Sequence, residues 1–428
     1  MRHVIIGNSA AAIGCVEAIR EDDPDSAITI VADEPHPTYS RPLISYLLGG
    51  EVDETGMAYR PPDFYETHRV ETLLGVEVTA VDPEARTVAL GGGGTLAYDR
   101  LLIATGGKPF VPPMPGVDLE GVFTFSTWED ADRIARFLED HDAGSAVVIG
   151  GGLIGLKATE ALLARGLDVT MVELADRVLS TIFDPTASRL AAMILRREGV
   201  DVQTGTTVTE IIGRAGRVDH AVLRDGARID CDLIVVAIGV RPNTALIPPD
   251  AGIEVERGIR VDAHMRTTAP NVYAAGDCVE AYDPLTETHR PIAIWPLAYR
   301  QGAIAGHNMA GKPRTYEGGF PMNAIGICDV PTISVGIVDP PDDGERYEIM
   351  DDYDRERLTY KKLVLRGHQL VGALFVNEID RAGIYTGLIR ERVDIHPFKE
   401  HLLSGSFGLI SLPKAYRKHL VVGRGIEV

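Results

Sequence analysis

The 428-residue sequence predicts an α/β protein in which one parallel-sheet module occurs twice and a smaller α+β domain follows. Three observations predict it. The chain opens with an apolar strand at residues 3–6, a tight turn at Gly7 and a helical stretch through Cys15 and Ile19. The same order returns at residues 145–149, at Gly150-Gly151-Gly152, and along a helix over about 153–165. Beyond about residue 320 this alternation stops. Residues 358–365 and 370–376 then read as two strands of a hairpin joined through Arg366-Gly367-His368-Gln369.

Each module continues as a parallel sheet requires. A second strand at residues 27–32 ends in Asp33-Glu34, completing the first strand–helix–strand unit. In the later copy Gly166 stands just past the helix, where a C-cap glycine belongs, and residues 168–172 form a strand that ends at Glu173. Proline-rich breaks lie at residues 108–116, at Pro248-Pro249-Asp250 and at Pro340-Pro341. The expected division is residues 1–115 with 245–320 for the first module, 116–244 for the second, and 321–428 for the C-terminal domain.

Composition removes several classes of function. A net charge of -20 argues against a general nucleic-acid surface, which needs a basic stripe, and against flat docking on an anionic membrane. The longest apolar run, residues 231–240, is far short of the roughly 20 residues of a spanning helix. The N-terminus runs from Met1-Arg2-His3 straight into a strand, with no signal-peptide pattern. Four widely spaced cysteines make neither a disulfide framework nor a zinc site, so no metal is expected and a reducing cytoplasm is the expected compartment.

The two turns carry the chemistry. Gly150-x-Gly152-x-x-Gly155 follows a strand and opens a helix. The first glycine permits the turn, the second lets backbone approach a pyrophosphate, and the third lets helix and strand pack closely. The free N–H groups at Leu153, Ile154 and Gly155, with the helix dipole, suit phosphates. Glu173 can accept from a ribose 2′-OH and would repel a 2′-phosphate, which favours NADH; Arg177 close by leaves NADPH open. The first turn, Gly7-Asn8-Ser9-Ala10-Ala11-Ala12, is degenerate, with Ser9 and Ala12 replacing two glycines and Ala10 at the helix start. Glu34, less so Asp33, would supply its ribose carboxylate. Two Rossmann-like dinucleotide sites on one chain suggest a hydride donor and a hydride acceptor: if one is a nicotinamide, the other is most simply a flavin.

Six segments, in this order, resemble the FAD-dependent pyridine nucleotide-disulphide oxidoreductase superfamily. They are the Gly7 turn, Pro37-Thr38-Tyr39-Ser40-Arg41-Pro42-Leu43, Ala104-Thr105-Gly106-Gly107, the Gly150 turn, Ala237-Ile238-Gly239-Val240-Arg241-Pro242-Asn243, and Val272-Tyr273-Ala274-Ala275-Gly276-Asp277. Within the superfamily the chain is most similar to the rubredoxin reductase, ferredoxin reductase and nitrite reductase flavin-domain branch. The resemblance implies an FAD domain, an NAD domain and a C-terminal α+β interface domain. It implies that Arg41 and Pro42 lie along the FAD pyrophosphate and flavin, that Val78 offers backbone to the adenine, and that Ala104, Thr105 and Gly106 close the FAD domain. It implies that Gly239 lies beside NADH, that Asp277 binds the ribityl chain, and that Trp295-Pro296 precedes a helix running to Met309 whose N-terminal dipole would stabilise negative charge on the reduced flavin.

The resemblance also shows what is missing. The thiol-relay branches carry one or two cysteines where this chain has Ser40 and Ser45, and no cysteine occurs between Cys15 and Cys231. Cys15, Cys278 and Cys328 read as small buried residues. Many relatives have Glu at the position of Lys157 and often Lys at the position of Tyr46. Both are changed here, and Lys157 with Tyr46 is the candidate catalytic pair, Lys157 supplying positive charge near the flavin or nicotinamide or else lying as a solvated helix lysine.

The expected activity is hydride transfer from NADH to FAD, then electron transfer to an acceptor without a thiol. Rubredoxin, ferredoxin or an iron–sulfur partner subunit is one class of acceptor. O2 (as in an NADH oxidase) or a quinone is another, and a non-catalytic FAD/NAD-binding sensor or scaffold is the third reading. Small acidic carriers fit poorly with a charge of -20, although Lys414, Arg417, Lys418, His419 and Arg424 form a basic run near the end of the chain.

Overall fold

The computed structural model describes residues 1–342 and 344–413, so the basic run from Lys414 lies outside the described residues. The chain divides into two units, one of residues 1–174 with 206–319, the other of 175–205 with the chain from Phe320 onward.

The first unit contains the first strand–turn–helix module and the second module without residues 175–205. β1 (Arg2–Ile6), α1 (Ala10–Asp22) and β2 (Ala27–Ala32) make the opening strand–helix–strand unit. α2 (Ile44–Gly49), β3 (Val70–Leu74) and β4 (Arg100–Ile103) follow. The later module comprises β5 (Val122–Thr124), α3 (Trp128–Asp140), β6 (Ser145–Ile149), α4 (Leu153–Ala164), β7 (Asp168–Glu173) and β8 (Leu233–Val236). β9 (Val272–Ala274) and α5 (Trp295–Met309) return to the first module.

The first sheet runs β9-β4-β1-β2-β3, all parallel. Ile5 stands in register with Ile30 on one side and Leu102 on the other, and all three are fully buried. Strands covered on both faces must be apolar on both faces, which is why β1, β2 and β4 read as unbroken apolar runs. In the second module β7, β6, β8 and β5 lie side by side and parallel. α3 begins with a capping box, Thr127 accepting from the Asp130 N–H at 3.1 Å while the Asp130 carboxylate accepts from Thr127 N–H at 3.2 Å.

Two close approaches position the functional residues. α1 and α5 cross with backbone against backbone: a Cβ at Gly302 would collide with the Ala11 carbonyl, and one at Gly306 with the Cys15 carbonyl. A short antiparallel ribbon, Gly107–Pro109 against Val240–Pro242, joins the two modules just beyond the ends of β4 and β8. Ligands of such sheets bind beyond the carboxyl ends of the strands, and the ribbon ties those two ends together.

The second unit is built on an antiparallel sheet in the order Met322–Ile327, Val330–Gly336, Gln369–Val376, Thr359–Arg366, Tyr347–Asp354. The expected hairpin is its centre, with Leu363 opposite Ala373. Residues 175–205, with the helix Pro185–Arg197, belong to this unit. Asp184 caps that helix through the Ala187 N–H at 2.9 Å, and its other oxygen accepts from Tyr360 Oη at 2.8 Å and Lys362 Nζ at 2.9 Å. Among the described residues no helix is long and apolar enough to cross a membrane, and no cluster of metal-ligating side chains occurs.

Candidate active site

The second turn has the geometry its three glycines dictate. Gly150 takes φ +113°, and a Cβ there would collide with the Ala237 carbonyl at the end of β8. A Cβ at Gly155 would collide with the Gly150 carbonyl, so α4 can start hard against β6 only with glycine at this point. Gly152 is different: it is the N-cap of α4, makes no side-chain cap, and has no atom within 4 Å of where its Cβ would be. The first N–H groups of α4, those of Leu153, Ile154 and Gly155, therefore face a space into which backbone, not side chain, projects. Glu173 ends β7 and accepts from the Gly151 N–H at 2.5 Å, which holds its carboxylate beside the turn. Gly239 takes φ +114° with open space around it, and its carbonyl accepts from Phe110 N at 2.9 Å.

The first turn repeats this plan with different residues. Gly7 takes φ +109°, and a Cβ there would collide with the Ala104 carbonyl. Ser9 is the N-cap of α1, and its hydroxyl makes no cap bond, so the N–H groups from Ala10 to Ala12 are not claimed by it. Thr105 Oγ1 donates to the Asn243 carbonyl at 2.6 Å and Asn243 N donates to Gly106 O at 2.9 Å, which fastens the 104–106 crossover to the ribbon. The Gly276–Asp277 turn is wedged between α1 and α5: Gly276 N donates to Gln301 Oε1 at 2.8 Å, and a Cβ on Gly276 would touch Ala11 and Ala298. Asp277, Ala104–Gly106, the Gly7 turn and the start of α5 are thus brought together.

Charge is concentrated there. Burial pushes the Asp277 carboxyl up to about 6, opposed by the Arg41 guanidinium. Arg41 is held by an ion pair to Glu34 and by its Nη1 donating to the Ser126 carbonyl at 2.6 Å. Tyr39 Oη donates to the second Glu34 oxygen at 2.6 Å, and accepts from Trp128 N at 3.2 Å. Glu34 also lies beside the Glu129 carboxyl, whose ionisation burial and the Glu34 charge oppose. Gly75 N donates to Glu34 O at 3.1 Å and Val76 N to Ala32 O at 2.9 Å, so the segment leading to buried Val78 runs beside Glu34. Pro42 lies exposed in the turn Arg41–Leu43. Trp295, half-buried at the first position of α5, meets Tyr59 edge-on at 5.0 Å between ring centres.

The remaining two candidates also meet. α2 and α4 share a core of Ile44, Leu48, Ala158 and Leu162. This packing sets the Lys157 ammonium 5.8 Å from the centre of the exposed Tyr46 ring. Glu160, three residues on, accepts from Lys157 Nζ at 2.6 Å. That partner was legible as an i, i+3 pair on one helix face, yet the sequence reading passed over it. Asn8, Tyr39, Tyr65 and Ser126 were also missed as site residues; only Asn8 and Tyr39 lie inside a motif. Arg177 pairs with Asp176 at 2.9 Å and Asp339 at 2.8 Å.

Cys15, Cys231 and Cys278 are buried thiols, Cys328 is a partly buried one, and burial pushes the Cys231 and Cys278 thiols up to about 12 and about 11. Thiols so poorly ionised are inert at neutral pH. The donor set at both turns fits a dinucleotide: a helix N-terminus without a side-chain cap and a carboxylate at the next strand end, joined at the second turn by a backbone with no Cβ at Gly152 where the phosphates come closest.

The family model for pyridine nucleotide-disulphide oxidoreductases matches residues 1–302. The chain belongs to that family. The model for the rubredoxin NAD+ reductase C-terminal domain matches residues 321–393. Family members are NAD(P)H-dependent oxidoreductases that bind FAD. The chain is similar to a nitrite reductase [NAD(P)H] of Bacillus subtilis, 34% identical over 92% of this chain and 47% of that protein. It thus spans about half the length of that relative. It is similar along almost all of both chains to the epsilon subunit of an NADH-dependent phenylglyoxylate dehydrogenase of Aromatoleum evansii, 32% identical over 94% of each. Among solved structures it resembles a putidaredoxin reductase in covalent complex with putidaredoxin, with a TM-score of 0.84, 28% identity, and coverage of 92% of this chain and 94% of that one. The two parallel sheets and the antiparallel C-terminal sheet are the architecture of these reductases.

Proposed function

We propose that this chain takes hydride from NADH at the Gly150 turn, through FAD held at the Gly7 turn, and delivers electrons to an iron–sulfur protein partner. On this reading residues 1–115 and 245–320 bind FAD, residues 116–244 bind NADH, and residues 321–428 form the interface domain. The observation that carries it is the meeting of Tyr46 from the first module with Lys157, which follows the second turn by one helical turn. Two dinucleotide sites are useful for hydride transfer only if their reactive ends converge, and these two side chains are one of the places where the modules meet.

Bound FAD would supply the chemistry that accepts two electrons together and releases them singly. The protein's share is binding and electrostatics. The N–H groups of α1, with Arg41, would hold the FAD pyrophosphate, Glu34 its ribose and Asp277 the ribityl chain, while Ala104–Gly106 and Val78 bound the ligand with backbone. The N-terminal end of α5 at Trp295 directs partial positive charge toward the flavin. The N–H groups of α4 would hold the NADH pyrophosphate, Glu173 its adenosine ribose, and Gly239 leaves space beside it. Lys157, steadied by Glu160 and Tyr46, would bring cationic charge to the point of transfer. A Lys157→Met variant with an unchanged hydride-transfer rate and flavin potential would exclude Lys157 from that role.

The relatives support a protein acceptor. One is a subunit of a larger dehydrogenase over almost its whole length, and another was crystallised with putidaredoxin. Burial pushes three of the four thiols, those of Cys15, Cys231 and Cys278, away from ionisation, which supports an acceptor other than a disulfide. The test is steady-state oxidation of NADH by the FAD-loaded protein with rubredoxin, ferredoxin, O2 or a quinone as sole acceptor, together with identification of proteins that co-purify with it. Fastest turnover with an iron–sulfur protein is expected. Fastest turnover with O2 or a quinone would make it an oxidase or quinone reductase instead. Flavin that NADH does not reduce would leave a non-catalytic binding subunit.

A further inference from the structure

We propose that Asn8 and Tyr65 are positioning residues that set the distance between the pyrophosphate-binding turn and the loop that grips the rest of FAD. This rests on the assignment of FAD to the Gly7 turn. The turn lacks the usual middle glycine, and Ser9 in its place gives no hydrogen bond to the helix it begins. Asn8, beside it, makes a bridge instead. Its Nδ2 donates to the His36 carbonyl at 3.3 Å, and its Oδ1 accepts from Tyr65 Oη at 2.8 Å. The same Tyr65 hydroxyl accepts from Thr38 N at 2.8 Å.

One amide and one phenol therefore join three segments: the turn at residues 7–9, the loop at residues 33–40, and the short helix Phe64–Thr67. That loop carries Glu34 and leads into Arg41, the two side chains assigned to the ribose and pyrophosphate of FAD. Its other fastenings point away from the turn, with Gly75 N on Glu34 O and Tyr59 N on Thr38 O at 3.2 Å. Tyr65 itself is fixed edge-on to buried Phe64, with ring centres 5.5 Å apart. Burial also pushes its hydroxyl up from the ordinary phenol range, so it remains a donor to Asn8 at neutral pH.

A single ligand must meet the turn with its phosphates and the loop with its ribose. If the bridge is lost, FAD has to order the loop as it binds, and affinity falls by the cost of that ordering. The NADH site is untouched, because neither residue contacts the Gly150 turn or Glu173 in any bond described above.

The experiment is binding of FAD to the FAD-stripped protein, followed by quenching of flavin fluorescence, for the unmodified chain, Asn8→Ala, Tyr65→Phe and the double variant. Each single change is expected to raise the FAD dissociation constant about tenfold, as loss of a hydrogen-bonded link would. The double variant is expected to fall short of the product of the two single effects, since both remove the Tyr65–Asn8 bond, while Asn8→Ala alone also loses the His36 carbonyl and Tyr65→Phe alone the Thr38 N–H. The KM for NADH at saturating FAD should match that of the unmodified chain, and the melting temperature of the stripped protein should stay within about 4 °C of it, the cost of the part-buried bonds removed. Tyr65→Phe keeps the ring and its packing, so it reads the hydroxyl alone. Unchanged FAD affinity in both single variants, or effects that multiply in the double variant, would overturn the proposal. So would FAD loss that comes with a raised KM for NADH and a melting temperature lowered further than that, which marks general damage. An unmodified chain that binds no FAD would instead overturn the assignment of function, before any variant is made.

Discussion

Gly152→Ala separates what the second turn does for the fold from what it does for a ligand. The backbone at Gly152 has φ -82° and ψ -170°, which alanine adopts freely. Its added methyl meets no atom within 4 Å. Alanine is somewhat poorer than glycine as an N-cap, while the unfolded chain loses freedom, and the two effects oppose each other. Stability should change by less than about 1 kcal/mol. Binding should change far more. The methyl stands where backbone would approach the pyrophosphate, and holding the phosphates further off weakens about two charge-assisted N–H bonds, each worth about 1.5–3 kcal/mol. A loss of about 3 kcal/mol is a roughly 100-fold rise in the dissociation constant. The assay pairs thermal unfolding with equilibrium titration of the oxidised FAD-loaded protein by NAD+, which gives no hydride. Gly150→Ala is the contrast, because φ +113° and the Ala237 carbonyl leave its methyl no room, and it should destabilise the fold by about 3 kcal/mol or more. If Gly152→Ala binds NAD+ as the unmodified chain does, at equal stability, the pyrophosphate does not lie on this turn.

Glu173→Ala should lower kcat/KM for NADH about 10- to 100-fold and raise it for NADPH, by removing a ribose acceptor and the charge that repels a 2′-phosphate; an unchanged ratio of the two values would remove Glu173 from that role. In the second unit, Lys362→Met leaves the Asp184 carboxylate buried with only Tyr360 and the Ala187 N–H as donors, at a cost of about 3 kcal/mol in denaturant unfolding. A change below about 0.5 kcal/mol would mean that the pair contributes nothing net. His3 is buried on β1 with no partner for either ring nitrogen among the described residues, and burial pushes it down to about 4 from 6.5. The unfolded chain therefore takes up a proton below pH 6.5 that the folded chain refuses, and stability falls between pH 6.5 and pH 4 by about 3 kcal/mol from this group. Unfolding free energy measured across that range should fall less steeply in His3→Leu, and parallel curves would show that His3 is not held neutral.

The repeated strand–turn–helix pattern was legible because its causes are local. β2 and β6 have the predicted bounds, and α5 ends at Met309 as expected, although it begins at Trp295 itself rather than after Pro296. Glycines at 7, 150 and 155 are required by carbonyls that approach within the same module, so the motif alone announces them. Contacts between distant segments were not legible. Nothing in the order of residues says that Arg41 bonds the Ser126 carbonyl, that Tyr65 reaches Asn8, or that residues 175–205 join the C-terminal unit. Arg177 shows the limit most clearly. Four residues after Glu173 it read as a cation that would leave NADPH open, and folding pairs it with Asp339, far along the chain.

The central claim is that electrons pass from a nicotinamide at Gly150 to a flavin at Gly7. Anaerobic rapid mixing of the FAD-loaded protein with NADH tests it most directly. Loss of the oxidised-flavin absorbance at a rate no slower than steady-state turnover is the expected result. NADH that binds while the flavin stays oxidised would contradict the claim.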